Sequence, residues 1–318
     1  MHDRPNTFDT PMVGLGKTAW LDRLESIADE HGYFQPLGKR HYAAFIDEKP
    51  TLLVTFETIQ GIQALSDTAQ PMGWELVKAA GWSHLCLLSD GDTWFRDARV
   101  YGYFDRLIDD GFFEDFETVI FYGAGPCGYA AAAYSVASPG ARVLVVQPQA
   151  TLDPRVTEWD DRFTEMRRTS FTDRYGYAPD MLDAAEKAFV VYDPAEDLDA
   201  MHAALFTRPN VTKLRMRHMG GALQTDLMEM QLLFRLIAKL GADALDENSF
   251  AKLYRARRDY PTYLRSLMAR LDASQRFYLT ALLCRSAVSR HTAPRFRRRL
   301  DALEREADAG NITLPPSR

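Results

Sequence analysis

Cysteine is scarce in this chain of 318 residues, which contains only Cys86, Cys127 and Cys284. No two of them have the Cys-x-x-Cys spacing of a zinc or redox site, so neither kind of site is predicted. The seven histidines do not form a metal-binding spacing either. We therefore expect a protein with no metal and no other cofactor.

Long apolar runs are also missing. No uninterrupted apolar stretch approaches the ~20 residues that a membrane-spanning helix requires. The opening residues, Met1 to Asn6, contain nothing like the apolar core of a signal peptide. These two absences predict a cytoplasmic protein that does not associate with a membrane.

The chain as a whole lacks positive charge, since its net charge is -6. Residues 245–318 differ, because they contain 15 basic and 8 acidic side chains. We interpret this asymmetry as attraction between an acidic body and a basic C-terminal segment. The basic residues do not form a known nucleic-acid motif, so a nucleic-acid partner is not expected.

The chain does contain a regular alternation of short apolar runs and helical stretches. Several runs are hydrophobic throughout, which is typical of strands covered by helices on both faces. The predicted strands are 41–47, 51–56, 84–88, 118–122, 142–146, 188–192 and 211–216. The first two are separated by three residues, which predicts an antiparallel hairpin.

The segments between the later strands are long enough for crossover helices, predicted at 101–110, 128–137 and 195–206. This pattern predicts an α/β fold with a doubly wound, mostly parallel sheet that begins with a hairpin. Further on, 224–240 has the apolar periodicity of one amphipathic helix. Residues 249–254, 260–271 and 274–289 also have a helical pattern. We therefore predict a body of 1–244 and a basic helical extension of 245–318.

The densest motif is a glycine-rich turn between a predicted strand and a predicted helix. Gly123, Gly125 and Gly128 form Gly-x-Gly-x-x-Gly, which in this context can bind the pyrophosphate of a dinucleotide. The next strand, however, ends in Gln147 and Pro148 and offers no acidic side chain for the ribose hydroxyls. The motif also follows at least three strands. A flavin or nicotinamide site is therefore the weaker hypothesis.

The same turn also fits a nucleophile elbow, in which a strained strand-to-helix turn presents a catalytic side chain. Residues 122–131 read Tyr-Gly-Ala-Gly-Pro-Cys-Gly-Tyr-Ala-Ala. They resemble the Tyr-Gly-x-Ser-Met-Gly-Gly-Tyr-Ala-Ala segment of a bacterial branch of the α/β-hydrolase superfamily. Similar matches occur at 52–56, 92–95 and 147–154, and the resemblance extends over about 43–240.

The resemblance implies an α/β-hydrolase-like fold, in which the strand ending at Phe56 leads into the oxyanion loop. It also implies that Gly123, Gly125, Gly128 and Phe56 line the binding site. The serine of the motif, however, matches Gly125, which has no nucleophile, so the usual acyl-enzyme is not expected. Cys127 replaces a small glycine of the motif. It is an alternative nucleophile or, as we prefer, a packed and inert thiol.

The two other triad positions are also implied by the resemblance. The acid of the fold follows the strand at 188–192, where Asp197 or Asp199 fits best and Asp193 fits a turn or N-cap residue. The histidine follows the last strand, where His218 lies. We expect Gly125, His218 and one of these aspartates to surround one concave site, and we expect His202 at the surface.

The sequence therefore favours a hydrolase-like domain that has lost serine chemistry and binds a small molecule or a protein partner. The first alternative is an active hydrolase that uses Cys127 or a water activated by His218 and an aspartate. The second alternative is a flavin- or nicotinamide-dependent oxidoreductase that uses the glycine-rich turn.

Overall fold

The computed structural model describes Phe8 and residues 10–316. It consists of two compact units, one that extends through Phe250 and one that begins at Ala251. The boundary between 244 and 245 that we inferred from composition and charge stays a prediction.

An eight-stranded sheet forms the centre of the first unit within the described range. Its strands are β1 (Gly32–Pro36), β2 (His41–Ile46), β3 (Thr51–Thr58), β4 (Ser83–Ser89), β5 (Thr118–Ala124), β6 (Arg142–Val146), β7 (Lys187–Tyr192) and β8 (Val211–Arg215). They lie in the order β1-β2-β4-β3-β5-β6-β7-β8. Only the pairs β1/β2 and β2/β4 are antiparallel. The predicted doubly wound, mostly parallel sheet is confirmed.

The predicted hairpin between 41–47 and 51–56 is wrong. β2 pairs with β4, and β4 separates it from β3. The antiparallel hairpin at this edge instead joins β2 to β1, a strand that the sequence did not reveal. β1 was missed because it is a mostly half-buried edge strand without a continuous apolar run.

Helices of the first unit cover both faces of the sheet, and further helices follow later in the chain. In chain order they are α1 (Lys17–His31), α2 (Ile59–Leu65), α3 (Trp74–Ala80), α4 (Ala98–Asp109), α5 (Pro126–Tyr134), α6 (Pro154–Thr157), α7 (Ala178–Met181), α8 (Asp197–Leu205), α9 (Leu223–Glu229), α10 (Leu233–Gly241), α11 (Glu247–Leu253), α12 (Pro261–Ala273), α13 (Phe277–Arg290) and α14 (Pro294–Asp308). None of the described helices is long and apolar enough to cross a membrane.

The single helix predicted over 224–240 is wrong, because α9 and α10 are separate. Gln231, between them, has a φ of 55°, a left-handed conformation that cannot continue a helix. Both helices bury their apolar residues, which explains why the periodicity predicted one element.

The core of the first unit lies on both faces of the sheet. Along β4, Leu85 and Leu87 contribute to one apolar cluster, whereas Cys86 and Leu88 contribute to another on the opposite face. All seven residues of β4 are buried. This two-sided burial explains the continuous hydrophobic runs of the central strands.

The second unit has a helical core of its own. Leu264 and Met268 of α12, Cys284 of α13 and Leu300 of α14 are buried in one cluster. The helical C-terminal extension that the sequence predicted is therefore present, and α14 is a helix of it for which no separate range was predicted.

Candidate functional site

The turn from β5 to α5 has the backbone geometry of a tight elbow. Gly125 lies between the two elements with φ 55° and ψ -124°, the mirror image of the first central residue of a type II turn. Its amide donates a 2.8 Å hydrogen bond to the carbonyl of Val146 on the neighbouring strand. A Cβ atom added at Gly125 would have no described atom within 4 Å. The turn therefore points toward open space and presents no side chain there.

The other two glycines of the motif serve the packing of this turn. A Cβ atom at Gly123 would lie 2.1 Å from the carbonyl oxygen of Cys127. One at Gly128 would lie 3.2 Å from the carbonyl oxygen of Gly123 and 3.3 Å from that of Val146. These positions require glycine because strand and helix backbones approach closely.

A pocket of about 370 Å³ opens beside Gly125 at the carboxyl ends of the parallel strands. Asp199 lines it as well, so the structure brings these two predicted site residues together. The wall is about half polar, and its polar residues besides Asp199 are Gln147, Gln149, Arg162, Glu196, Gln224 and Thr225. Among the described residues that line it there is no histidine.

Asp199 is held by two polar partners inside this pocket. Its Oδ1 accepts a 2.7 Å hydrogen bond from Nη1 of Arg162, and its Oδ2 accepts a 2.6 Å hydrogen bond from Nε2 of Gln147. Gln147 in turn accepts from the amide of Leu223 at the start of α9. Both oxygens of the expected triad acid thus have partners other than a histidine.

Arg162 also binds Asp160, whose carboxylate is completely buried. The second partner of Asp160 is Nε2 of His202, at 2.8 Å, and Nδ1 of His202 accepts from the amide of Ala150. Burial pushes the pKa of Asp160 upward, but the hydrogen bonds from Arg162 and His202 outweigh it and lower that pKa.

His202 is fully buried, so the expectation that it lies at the surface is wrong. The reason is the distant segment that contains Asp160, which packs over α8 and provides a partner for the imidazole. Burial lowers the pKa of His202, against the opposing attraction of Asp160.

His218 follows β8 in the left-handed region, with a φ of 67°. Its amide donates a 3.0 Å hydrogen bond to Asp193, which also accepts from the amides of Gly220 and Ala195. Asp193 is buried and ties the loop after β7 to the loop after β8. Asp197 is exposed at the start of α8 and does not belong to the described lining of the pocket.

A second, smaller cavity of about 130 Å³ also borders the turn, and Phe56 and Cys127 line it. Phe56 packs against the rings of Phe95 and Tyr134, which makes it a core residue as well. Cys127 is buried, and burial raises the pKa of its thiol.

Sequence reasoning missed the acidic groups of this second cavity, Glu57 and Asp92. Burial raises the pKa of Glu57, although hydrogen bonds from Thr55 and the amide of Met72 oppose the shift. Burial also raises the pKa of Asp92. The only sequence signal for a polar site here was the alternating Thr-x-Glu pattern at the end of β3. No spacing rule connects Glu57 to the elbow.

Two features define the class of fold. The strand order, with an antiparallel edge followed by parallel strands, is that of α/β-hydrolases, and the tight elbow follows the central strand β5. The fold is α/β-hydrolase-like. Within this hydrolase-like fold, the pocket beside Gly125 lies where active sites of open α/β sheets lie, at the carboxyl ends of the strands.

No known protein family matches this chain, and no curated protein matches it in sequence. Several solved structures are similar to it at low identity. The Gap123 glycosylation-associated protein complex from Streptococcus agalactiae has a TM-score of 0.40 and 11% identity, over 63% of this chain and 44% of that one. The chain thus spans less than half of that protein's length.

Two further structures match over most of their own length. The capsule O-acetyltransferase of Neisseria meningitidis serogroup A has a TM-score of 0.38 and 13% identity, over 62% of this chain and 90% of that one. The hyperthermophilic esterase of Pyrobaculum calidifontis has a TM-score of 0.40 and 13% identity, over 76% and 92%. At identities this low, neither the substrate nor the activity of these proteins can be transferred to this chain.

Proposed function

We propose that this chain is a hydrolase-like domain that binds a small polar ligand in the pocket beside Gly125 and does not form an acyl-serine. The observation that carries the proposal is the elbow itself. Gly125 forms a tight turn at the mouth of a pocket, but it has no side chain that could react there. Without a hydroxyl or thiol at this point, a carbonyl carbon in the pocket has no attacking group.

The first alternative, an active hydrolase, has two versions. Attack by Cys127 is disfavoured because the thiol is buried and its pKa is raised, so little thiolate exists near neutral pH. Activation of water by His218 and an aspartate is disfavoured because Asp199 is bonded to Arg162 and Gln147. An acid engaged in this way does not orient a histidine.

The chemistry of the pocket wall suggests the class of ligand. Arg162 directs its Nε, Nη1 and Nη2 groups to Asp160 and Asp199, so its charge is already compensated. The described lining of the pocket therefore offers no unpaired cation to bind a carboxylate or phosphate ligand. Gln224 and Thr225 add neutral polar groups. Glu196 adds an acidic group. We infer a ligand without negative charge that hydrogen-bonds through hydroxyl or amide groups.

The first experiment tests for acyl-enzyme chemistry. The full chain and its Cys127→Ala variant are incubated with a fluorophosphonate probe and with activated esters. Neither protein should be labelled, and ester turnover should be the same in both. Losing a triad nucleophile can leave about 10³–10⁴-fold catalysis over water, so slow turnover is compatible with the proposal. Strong turnover that the Cys127→Ala change abolishes would establish the thiol mechanism instead.

The second experiment tests for the ligand. Thermal unfolding is recorded with panels of neutral polyols and amides, carboxylates and amines. A compound without negative charge should raise the melting temperature, since a ligand at 100 times its Kd stabilises by about 2.7 kcal/mol. Thr225→Ala should remove the shift, whereas Thr18→Ala, at an exposed position of α1 outside the pocket, should keep it. A response to anions alone would contradict the inferred ligand class.

The oxidoreductase alternative remains testable at the same turn. Gln147, where a dinucleotide site would place an acidic ribose ligand, is instead bonded to Asp199 and Leu223. The purified protein should be colourless, and nicotinamide or flavin nucleotides should not change its melting temperature. A yellow protein with a flavin spectrum would make this alternative correct.

The protein-partner version is a second candidate function. On α13, the large apolar side chains of Tyr278, Leu279 and Leu282 are 46%, 41% and 44% exposed. Replacing all three by serine should abolish binding of a protein partner while leaving ligand binding at the Gly125 pocket unchanged.

A further inference from the structure

Four polar residues lie on one face of two adjacent strands. β3 and β4 are parallel, with Thr55 opposite Cys86. Since side chains alternate along a strand, Thr55 and Glu57 share a face with His84 and Cys86. His84 and Cys86 are fully buried, in a sheet whose surrounding residues are apolar.

The potential ligand atoms of this group converge. A ring nitrogen of His84, the Sγ of Cys86 and a carboxylate oxygen of Glu57 all lie within 4.8 Å of one another. The Sγ of Cys86 lies 3.4 Å from Oε1 of Glu57. Imidazole, thiolate and carboxylate at bonding distances of about 2.0–2.3 Å are the ligands that Zn²⁺ uses in proteins.

Surrounding contacts hold these groups in place. Thr55 donates a 2.7 Å hydrogen bond to Oε1 of Glu57 and lies 2.8 Å from Nε2 of His84. The amide of Met72 donates to the other oxygen of Glu57. Gly73 packs flat against the imidazole, and a Cβ there would lie 2.2 Å from the ring. Outer contacts of this kind orient metal ligands.

Internal hydrogen bonds do not account for the whole cluster. The Nδ1 atom of His84 is completely buried and has no hydrogen-bond partner among the residues that the structure describes. Such buried orphan atoms are uncommon and call for an explanation.

One of the three ligand groups borders a cavity. Glu57 lines the 130 Å³ cavity next to the elbow, which has room for water or a small ligand. A water molecule from this cavity would supply a fourth ligand, as it does in zinc sites with three protein ligands.

We propose that Glu57, His84 and Cys86 form a binding site for a divalent transition-metal ion, with Zn²⁺ as the best match. The thiol excludes Mg²⁺ and Ca²⁺, which prefer oxygen ligands. On binding, the S–H bond of Cys86 breaks, its electron pair forms the metal–sulfur bond, and its proton leaves to solvent, as does any proton on Glu57. The thiolate and carboxylate then neutralise the two charges of the ion. Sequence spacing concealed this site because the ligands come from two strands.

The test uses the untagged full chain, stripped of metal with a chelator and titrated with Zn²⁺ and Co²⁺. We expect one equivalent of Zn²⁺ per chain and a sulfur-to-metal charge-transfer band with Co²⁺. Cys86→Ser should abolish the band, and Cys284→Ser, a matched change at a buried cysteine outside the cluster, should leave it intact. Since loss of an outer-shell contact already weakens binding 10–100-fold, Glu57→Gln should weaken Zn²⁺ binding by more than about tenfold.

Absence of stoichiometric binding, or a band that survives the Cys86→Ser change, would overturn the proposal and leave a hydrogen-bonded polar cluster. Circular dichroism establishes whether each variant folds. If Cys86→Ser does not fold, the affinity of the folded Glu57→Gln protein decides the question. The result is independent of the ligand that binds beside Gly125, because no residue of this cluster lines that pocket in the described structure.

Discussion

Arg162 and Asp199 are joined by a 2.7 Å hydrogen bond between Nη1 and Oδ1, and the same guanidinium binds the buried Asp160. One cation thus compensates two carboxylates, whose side chains are 6% and 0% exposed. Asp199, one of the two aspartates that we predicted at the triad-acid position, is here part of an ion-pair network.

Removal of the guanidinium should therefore destabilise the fold. We expect Arg162→Met to lower the free energy of unfolding by about 2–3 kcal/mol in urea titrations. This lies between the ~0–1 kcal/mol of a surface pair and the ~3–5 kcal/mol of a broken buried pair, because Arg162 is itself partly exposed. Arg155→Met is the matched control: Arg155 pairs with Asp153 but is largely exposed, so its loss should destabilise the fold much less than the loss of Arg162. Equal costs for the two variants would contradict the network.

A serine introduced at the elbow should not recreate an esterase. Gly125→Ser places a hydroxyl toward open space, but no histidine lines the described pocket to accept its proton. The positive φ of Gly125 should cost about 1–2 kcal/mol for any side chain. Gly125→Ala therefore serves as the control for strain. Fluorophosphonate labelling of the serine variant beyond that of the alanine variant would reveal an intact catalytic base and contradict our view of the site.

Gly123 should tolerate no side chain. Its added Cβ would lie 2.1 Å from a backbone carbonyl, which cannot move without opening the turn. We expect Gly123→Ala to lower the free energy of unfolding by more than about 2 kcal/mol through overpacking. Gly221→Ala, at a glycine with no described atom within 4 Å of the added Cβ and no positive φ, should be nearly neutral. Chemical denaturation of both variants checks this ranking.

The buried His202 should make stability depend on pH. Its pKa is lowered in the folded state, whereas the unfolded chain takes up the proton near pH ~6.5. Stability is therefore complete above that pH and falls as the pH decreases below it, by at most about 1.4 kcal/mol per pH unit. We expect His202→Asn to reduce this slope between about pH 6.5 and 5. His291→Asn, at an exposed position, is the control. An unchanged slope in the His202 variant would show that the histidine is not held neutral by burial.

The sequence alone determined the class of fold and the position of its central turn. Runs such as Val143–Val146 are apolar on both faces because helices cover both sides of the sheet, so they were recognisable without coordinates. The glycines of the β5–α5 turn were recognisable because backbone geometry and close packing demand them. These are local properties, which a sequence records directly.

Only the tertiary structure decided which strands and side chains meet. The position of β4 between β2 and β3 depends on a crossover rather than on the short link that suggested a hairpin. The burial of His202 depends on Asp160, 42 positions away, and the cluster of Glu57, His84 and Cys86 depends on the register of two strands. Such contacts arise between segments remote in the chain, and no local propensity or spacing encodes them.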